Sequence, residues 1–472
     1  MSVLKKIIPQ SIKNIYHLVQ AVLANFLYGF PACSSYANSV AGGPSKSIKI
    51  IGVTGTNGKT TTVQMIGKIL EEAGFKVAVA STINFKIGKK EWINKTKLTT
   101  LSSFQIQKFI LEAVKARCQY LVLETSSHAL DQNRVWGVKY QTAVITNVTR
   151  DHFDYHKNLD TYRKAKIKLF KKAKKIVVNL DMENPEAFLD CKAKLKFGFT
   201  TISNSQFLIS NQTPNSNDQI KKIVAEDIEL GINYSKFKVK NTEFNLNIPG
   251  KFNVENALAA VAVGFSENVS LEQMAQALEK IKNIPGRLEK VENNKGLNII
   301  IDYAVTPDAL EKLYSLILKL KCHPELVSGS VSSPKIIAVF GACGERDCGK
   351  RPMMGKIVSQ YSDYVIVTNE DPYFENPQKI IDEVFEGIPK CHHELVSGSK
   401  KIPDQVRNDS SCFTENINCW KIMDRRKAIK KALQLAELGD FVVVTGKGAE
   451  ETMAIGKERI EWNDKKVIQE YL

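Results

Sequence analysis

The residues best suited to chemistry lie in a glycine-rich loop, Gly52-Val-Thr-Gly-Thr-Asn-Gly-Lys-Thr-Thr61. Glycines let backbone N–H groups approach a phosphate closely. Lys59 supplies positive charge for the outer phosphates of a nucleotide, and the Thr60 hydroxyl suits a Mg²⁺ ligand. The strict P-loop spacing is not met, because Val53 stands where the first glycine belongs. The loop still predicts an ATP site, with contacts from Gly55, Thr56, Asn57, Gly58, Lys59, Thr60 and Thr61.

The elements on either side of this loop are those that a phosphate site needs. A β-branched run over residues 48–53 predicts a buried strand before it. After Thr60 the apolar residues Val63, Ile66 and Leu70 recur at helical spacing. A helix that begins under the loop adds partial positive charge there.

Two further apolar runs end in polar residues. Residues 121–123 precede Glu124, a candidate Mg²⁺ ligand at the carboxyl end of a buried strand. Residues 144–147 precede a cluster that contains His152 and His156. We predict metal or phosphate contact for His152, whereas a structural role is the better interpretation of His156.

Composition limits the class of protein. The 472 residues are 43% hydrophobic and carry a net charge of +16, which is compatible with two large domains or three average ones. The lysines are dispersed and no nucleic-acid motif is present, so anionic small substrates are preferred over nucleic acid as partners. Nine cysteines without C-x-x-C pairs favour reduced thiols and a cytoplasmic location.

The N-terminal segment is open to three interpretations. Residues 15–30 are mostly apolar and follow several lysines, as in a signal peptide. Polar interruptions and the ATP loop argue against secretion. The spacing of Ile15, Leu18, Val22 and Phe26 favours an amphipathic helix that packs on the body, or alternatively lies on a membrane surface.

The combination of motifs resembles the Mur ligases, and most closely the members that add the third residue of the peptidoglycan stem peptide. The resemblance runs from about residue 48 to residue 472. Its segments in the first half are 52–61, 124–130, 147–156, 162–170 and 250–260, and those in the second half are 286–289, 302–310, 340–355, 368–372 and 446–450.

The resemblance implies a reaction and roles for individual residues. A carboxylate attacks the γ-phosphate of ATP, and an amine then displaces phosphate from the acyl phosphate. One Mg²⁺ is expected on Thr60 and Glu124, and a second on His152 and a carbamate of Lys166, which the residues alone would make a solvated helix lysine. Further nucleotide contacts are implied for Asn256, Arg287 and Asp302, and substrate contacts for Thr99, Thr100, Ser126, Arg134, Arg346, Asp371, Gly446 and Glu450.

Alternating strands and helices predict an α/β fold in two parts. We expect a helix and linker over residues 1–47, a P-loop-type central ATP-binding domain with a parallel sheet over 48–284, and a smaller Rossmann-like α/β domain over 285–472. The active site is expected in a cleft between the two domains, which closure would complete with Arg287, Asp302 and Arg346.

A nine-residue repeat, Cys322–Ser330 and Cys391–Ser399, is identical at eight positions. The Cys-His pairs invite a zinc interpretation. Exposed inserted loops near 322–334 and 391–413 are preferred, because loops tolerate added length.

Several positions depart from the family pattern. About 47 residues precede the loop strand, too few for the usual uridine-binding domain. Val305, Ala449 and Leu101 replace a usual His, His and Pro. Tyr373 replaces the Arg that reads diaminopimelate, and a bidentate Arg is the best reader of a carboxylate.

These departures bear on the amino acid that is added. The acidic neighbours Glu370, Asp371 and Glu375, together with Glu450, are expected to disfavour a distal carboxylate. Arg346 and Arg351 are expected to be free for the α-carboxylate. We therefore predict that lysine, or another amino acid without a distal carboxylate, is preferred over meso-diaminopimelate.

The sequence thus predicts a monomeric, cytoplasmic, ATP- and Mg²⁺-dependent ligase that joins a free amino acid to a muramyl-peptide precursor. One alternative is a Mur-like ligase with a lipid-linked or polyglutamyl-type acceptor. Another is a degenerate copy that binds nucleotide as a partner subunit without ligating.

Overall fold

The computed structural model describes residues 9–32, 47–202, 220–322, 333–390 and 412–472. Most of both predicted inserted loops lies outside these residues. The helices are α1 (Gln10–Leu27), α2 (Lys59–Glu72), α3 (Ser103–Lys115), α4 (Ser127–Asp131), α5 (Phe153–His156), α6 (Leu159–Phe170), α7 (Glu186–Leu189), α8 (Lys251–Ser266), α9 (Leu271–Glu279), α10 (Pro307–Lys321), α11 (Arg351–Tyr361), α12 (Pro377–Phe385), α13 (Arg425–Leu435) and α14 (Asp464–Tyr471).

The strands alternate with these helices through most of the chain. They are β1 (Lys49–Thr54), β2 (Val77–Ala80), β3 (Asn84–Ile87), β4 (Lys90–Ile93), β5 (Tyr120–Glu124), β6 (Tyr140–Ile145), β7 (Lys175–Asn179), β8 (Leu195–Thr200), β9 (Ile220–Val224), β10 (Glu226–Leu230), β11 (Ser235–Val239), β12 (Thr242–Leu246), β13 (Glu289–Val291), β14 (Asn298–Asp302), β15 (Ile336–Phe340), β16 (Tyr364–Val367), β17 (Cys419–Lys421), β18 (Phe441–Thr445), β19 (Thr452–Ile455) and β20 (Glu458–Glu461).

The chain divides into two compact units. The first contains Met1–Thr149 and His156–Lys282, and the second contains Arg150–Tyr155 and Asn283–Leu472. The short segment Arg150–Tyr155 therefore belongs to the second unit, although the sequence around it belongs to the first. The prediction of an α/β fold with a large parallel sheet and a second α/β domain is confirmed.

The first unit is built on a nine-stranded sheet in the order β4-β3-β2-β5-β1-β6-β7-β8-β9. Its strands pair in parallel except at β3 and β4, which form an antiparallel edge. The strand before the glycine loop, β1, lies between β5 and β6, and Val53 is in register with Glu124. Since the carboxyl ends of parallel strands share one edge, the segments after these three strands meet at the loop.

The second unit contains a six-stranded sheet in the order β13-β14-β18-β15-β16-β17. All its pairs are parallel except the one between β13 and β14. Asp302, the last residue of β14, is in register with Thr445, the last residue of β18. Asp302 and Gly446 consequently lie at the same edge of this sheet.

The N-terminal helix α1 forms and packs on the first unit, but not through the stripe that the sequence indicated. Its buried residues are Ala21, Ala24 and Asn25, whereas Ile15 and Phe26 are exposed. The small alanine side chains allow close approach to α3. No helix in the described part of the chain is long and apolar enough to cross a membrane.

Candidate active site

The glycine loop has a conformation that only glycine accommodates at two positions. Gly58 directly precedes α2 with φ +80°, and a Cβ there would lie 2.2 Å from Asn256 Oδ1. A Cβ on Gly55 would lie 1.8 Å from Thr146 Oγ1. The loop therefore presents bare backbone at the N-terminus of a 14-residue helix, which is an arrangement suited to anions.

A second segment holds the loop in this shape. The Thr56 N–H donates to the Asn147 carbonyl (3.0 Å) and the Asn57 N–H to Asn147 Oδ1 (2.9 Å). The Thr146 hydroxyl donates to the Asn57 carbonyl (2.6 Å). These contacts come from the segment that follows β6, so the loop is organised by its neighbour in the sheet.

Lys59 extends back over the loop. Its Nζ donates to the carbonyls of Gly55 (3.1 Å) and Thr56 (2.8 Å). The ammonium is thus located where the outer phosphates of a nucleotide would need positive charge.

Glu124 lies beneath the start of α2 and is 1% exposed. The Thr60 hydroxyl lies 3.1 Å from its Oε2. The Thr82 N–H and hydroxyl donate to the same carboxylate at 2.7 and 2.9 Å. A buried carboxylate beside two hydroxyls is a set of hard oxygen donors that fits Mg²⁺.

Sequence reasoning missed Thr82. Thr82 could have been found from its position, two residues after the end of β2. In the sheet, β5 lies between β2 and β1, so β2 is a direct neighbour of the strand that ends in Glu124. A polar residue at that position necessarily faces the end of β5, where Glu124 lies.

The structure brings together three of the four substrate residues implied for the first unit. The Thr100 hydroxyl lies 3.0 Å from the Glu124 carbonyl and accepts from the Ser126 N–H (2.8 Å). Arg134 Nη1 donates to the Thr100 carbonyl (2.8 Å). Thr99 is half-buried at the same bend.

Lys166 is 1% exposed and is not the solvated lysine that its residue type alone suggested. Its Nζ donates to the Gly55 carbonyl (2.8 Å) and lies 4.1 Å from the centre of the Tyr162 ring. Tyr162 in turn lies beside the loop, because its hydroxyl is 3.3 Å from Thr56 Oγ1. The Lys166 amine therefore lies at the phosphate loop.

Asn256, on α8, also reaches the loop. Its Oδ1 is 3.3 Å from the Thr62 hydroxyl, and its Nδ2 is 3.3 Å from Asn253 Oδ1. The contact with the Gly58 position described above places this amide beside the first turn of α2.

His152 belongs to the second unit. Its Nε2 is 3.2 Å from Asp151 Oδ2, and Lys350 Nζ is 3.3 Å from Asp151 Oδ1. Burial alone would raise the pKa of Asp151, but Lys350 and His152 hold it well below its usual range. The ionised carboxylate orients the imidazole, as carboxylates do for histidines that bind metals.

Lys447 is the centre of a buried charge cluster in the second unit. Its Nζ is 2.9 Å from Asp371 Oδ1 and also contacts Glu450. The Ala454 N–H donates to Asp371 as well (2.7 Å). One ammonium is therefore shared by two carboxylates.

Glu370 lies against this cluster. A Cβ on Gly446, which has φ +109°, would lie 3.0 Å from Glu370 Oε2. Burial raises the pKa of Glu370 to about 8, and the Asp371 carboxylate adds to the rise. Burial therefore favours the neutral form of the Glu370 carboxyl, which weakens the repulsion of a distal carboxylate predicted for it.

Arg287 and Asp302 lie together next to the same cluster. The Arg287 guanidinium is 4.6 Å from the centre of the Tyr303 ring, and the Tyr303 hydroxyl is 3.4 Å from Glu450 Oε1. Asp302 accepts from the Leu288 N–H (2.7 Å). Burial raises the pKa of Asp302, and Arg287 opposes the rise.

Arg346 and Arg351 differ in their surroundings. Arg346 is at the surface beside Cys343 and Tyr373. Arg351 is buried and bound by Glu375 (2.7 Å) and Glu383 (2.6 Å). The expectation that Arg351 is free for an α-carboxylate is wrong, because it forms a structural ion pair.

The same ion pair removes Glu375 from the predicted acidic surroundings of the amino acid. Hydrogen bonds from Arg351 lower the pKa of Glu375 to about 2, so its charge is present but compensated. The ion pair weakens the predicted repulsion of a distal carboxylate by Glu375, which stays a prediction.

Two family models match the chain. The Mur ligase middle domain matches residues 53–264, and the glutamate ligase domain of Mur ligases matches residues 286–448. Together the two matched ranges contain the candidate site residues of both units, with the exception of Glu450.

Curated relatives cover nearly the whole chain. The UDP-N-acetylmuramoyl-L-alanyl-D-glutamate--2,6-diaminopimelate ligase 1 of Clostridium acetobutylicum is 34% identical over 442 residues, which are 91% of this chain and 79% of that protein. The UDP-N-acetylmuramyl-tripeptide synthetase of a Roseiflexus species is 32% identical over 92% of this chain and 80% of its own.

Among solved structures, a UDP-N-acetylmuramoyl-L-alanyl-D-glutamate--2,6-diaminopimelate ligase aligns with a TM-score of 0.56 and 28% identity. The alignment covers 93% of this chain and 80% of that one. The chain belongs to the Mur ligase family.

Proposed function

We propose that this protein is an ATP- and Mg²⁺-dependent ligase that adds an amino acid to a muramyl-peptide precursor of peptidoglycan. The observation that carries the proposal is the buried Glu124 carboxylate, bonded to Thr60 at the first turn under a glycine loop that holds Lys59. The names of the curated relatives support the choice of substrate class.

The residues of the first unit would act on the nucleotide. The loop N–H groups and Lys59 bind and orient the phosphates, and Asn256 contacts the nucleotide beside Gly58. Thr60 and Glu124 would hold Mg²⁺, which when bound neutralises the charge that develops on the transferred phosphoryl group. Thr82 fixes the Glu124 carboxylate in place.

Lys166 is proposed to be carbamylated. A carbamate converts an amine into an anionic oxygen ligand, which hard Mg²⁺ prefers. The carbamate would offer oxygen ligands to a second ion at the acyl phosphate, and His152 of the second unit is likewise proposed as a metal ligand. The burial of Lys166 and its contact with the Gly55 carbonyl support a role at the phosphate loop over that of a surface lysine.

The remaining assignments stay proposals at the level of single residues. Thr99, Thr100, Ser126 and Arg134 are proposed to contact the acceptor, and Arg346 the α-carboxylate of the amino acid. Arg287 and Asp302 are proposed to contact the nucleotide, and Asp371, Gly446 and Glu450 the amino acid. We also propose domain limits of 1–47, 48–284 and 285–472, a monomeric state and a cytoplasmic location, as predicted from the sequence.

The proposed reaction is tested by phosphate release. We expect phosphate from ATP only when UDP-N-acetylmuramoyl-L-alanyl-D-glutamate and an amino acid are both present, because the acyl phosphate forms on the acceptor and the amine resolves it. Phosphate assay and product mass measure this. The same assay is repeated with lipid-linked muramyl dipeptide and with glutamyl substrates as acceptors. If the protein binds nucleotide but ligates none of these acceptors, it is a non-ligating partner subunit.

The identity of the amino acid gives a second prediction. Tyr373 offers no guanidinium to a distal carboxylate. The two carboxylates of Asp371 and Glu450 share the single positive charge of Lys447, which leaves one excess negative charge. We expect a higher kcat/KM for lysine than for meso-diaminopimelate. Tyr373→Arg is expected to raise kcat/KM for diaminopimelate about tenfold, on the scale of one charge-assisted pair.

The matched control is Phe374→Arg, because Phe374 is the exposed neighbour of Tyr373. The control should leave the ratio of kcat/KM for the two amino acids unchanged. A tenfold preference of the unmodified chain for diaminopimelate, in accord with the names of most curated relatives, would refute the argument from Tyr373.

A further inference from the structure

Helix α1 leaves one apolar face exposed in the described part of the chain. The side chains of Ile12, Ile15, Tyr16, Val19, Leu23 and Phe26 are between 50 and 68% exposed. At 100° per residue these six fall within an arc of about 100°. Seven of the 21 large hydrophobic side chains that are exposed in the described residues lie on this helix, so the face is a concentrated patch and not normal surface scatter.

The opposite side of α1 is fixed to the first unit by specific contacts. Asn25 Nδ2 donates to the Trp136 carbonyl (3.0 Å), and a Cβ on Gly137 would lie 2.3 Å from Asn25 Oδ1. Asn14 Nδ2 donates to Asp131 (3.2 Å). These bonds set the rotation of the helix, so its apolar arc is held outward by the fold.

The charge around this face favours one kind of partner. The first acidic residue of the whole chain is Glu71, while Lys5 and Lys6 precede α1 in the sequence and Lys13 lies in its first turn. Asp131, the acidic side chain that contacts α1, is neutralised by Lys168 at 2.7 Å. A basic, acid-free segment complements an anionic surface.

We propose that the apolar face of α1 docks on an anionic lipid bilayer and lies in the plane of its interface. The exposed arc contains aliphatic and aromatic side chains and forms a convex ridge on a single helix, which suits insertion among acyl chains. A protein partner would need a matching groove, and a second copy of the chain would bring the same positive charge to the contact.

The test is co-sedimentation of the full chain with vesicles of phosphatidylcholine, with and without phosphatidylglycerol. We expect binding that increases with the anionic lipid and falls with added salt. Ile15→Ser with Leu23→Ser is expected to lower the partition coefficient at least about tenfold, because two large apolar side chains are lost from the bilayer. Lys13→Glu should lower it about fivefold.

Leu438→Ser is the matched control, since Leu438 is 78% exposed in the second unit, and it should leave vesicle binding unchanged. The unfolding temperature should also be unchanged in the Ile15→Ser, Leu23→Ser variant, because both altered side chains are exposed. The proposal is overturned by absence of binding to anionic vesicles. It is equally overturned by a dimer in solution that the Ile15→Ser, Leu23→Ser variant abolishes, which would make a second copy the occupant. Neither readout depends on ligase activity.

Discussion

Lys59→Ala and Glu124→Ala are each expected to lower ligase turnover by at least about 10²-fold, the scale of losing one contact that stabilises transition-state charge. Lys59 lies over the carbonyls of the loop, where its charge is proposed to meet the phosphates. Glu124 supplies the carboxylate of the proposed Mg²⁺ site. Steady-state kcat from phosphate release measures both effects.

Controls separate chemistry from folding. Lys68→Ala changes a lysine of the same helix that lies outside the loop, and should keep turnover close to that of the unmodified chain. Glu124→Ala leaves buried donors of Thr60 and Thr82 without their acceptor, at a cost of about 1–3 kcal/mol in stability. Glu124→Gln keeps an amide oxygen as acceptor for these donors. It should therefore be folded, and its turnover should be almost as low as that of Glu124→Ala. Near-normal ligation by Lys59→Ala or Glu124→Gln would contradict the assignment of the ATP site.

The glycine loop could be predicted because its order of strand, glycines, lysine and helix is local in sequence. Its geometry agrees with the steric reason: a Cβ at Gly55 or Gly58 has no room. Glu124 could be placed at the loop for a similar reason, since a carboxylate that ends a buried parallel strand must lie at the sheet edge where the other loops gather.

Other features depend on contacts distant in sequence. Thr82 binds Glu124 from 42 positions away, and its place after β2 becomes informative only once the strand order is known. Arg351 looked free because its partners, Glu375 and Glu383, come from the segment before α12 and from the last turn of that helix. The burial of Lys166 was also invisible, because its helix is rich in lysines that are exposed.

The helix α1 shows the same limit in a different form. Its apolar residues are spread around much of the helix, so the periodicity does not say which face packs. Ala21, Ala24 and Asn25 decide it, because small side chains permit close packing and the amide finds the Trp136 carbonyl. The spacing of large apolar residues therefore predicted that Ile15 and Phe26 lie on the packing face of α1, whereas both are exposed.

Lys166 gives the sharpest test of the chemistry. If its amine is carbamylated, Lys166→Ala removes a metal ligand and should be nearly inactive. Small carboxylic acids such as formate or acetate should restore part of the activity, because they offer the missing oxygen ligand in the space that the side chain leaves. A lysine that only supports the loop by its bond to the Gly55 carbonyl would not be replaced by an anion.

The pH dependence separates the same two roles. A carbamate is lost on acidification, so added bicarbonate should raise the activity of the unmodified chain at low pH. Isotopically labelled bicarbonate should give a carbamate signal in the spectrum of the unmodified chain, and this signal should be missing in Lys166→Ala. Lys164→Ala, which alters an exposed lysine of the same helix, should retain both the signal and the activity. An active enzyme without this signal, or a Lys166→Ala variant that no carboxylic acid rescues, would leave Lys166 as a cation that supports the loop.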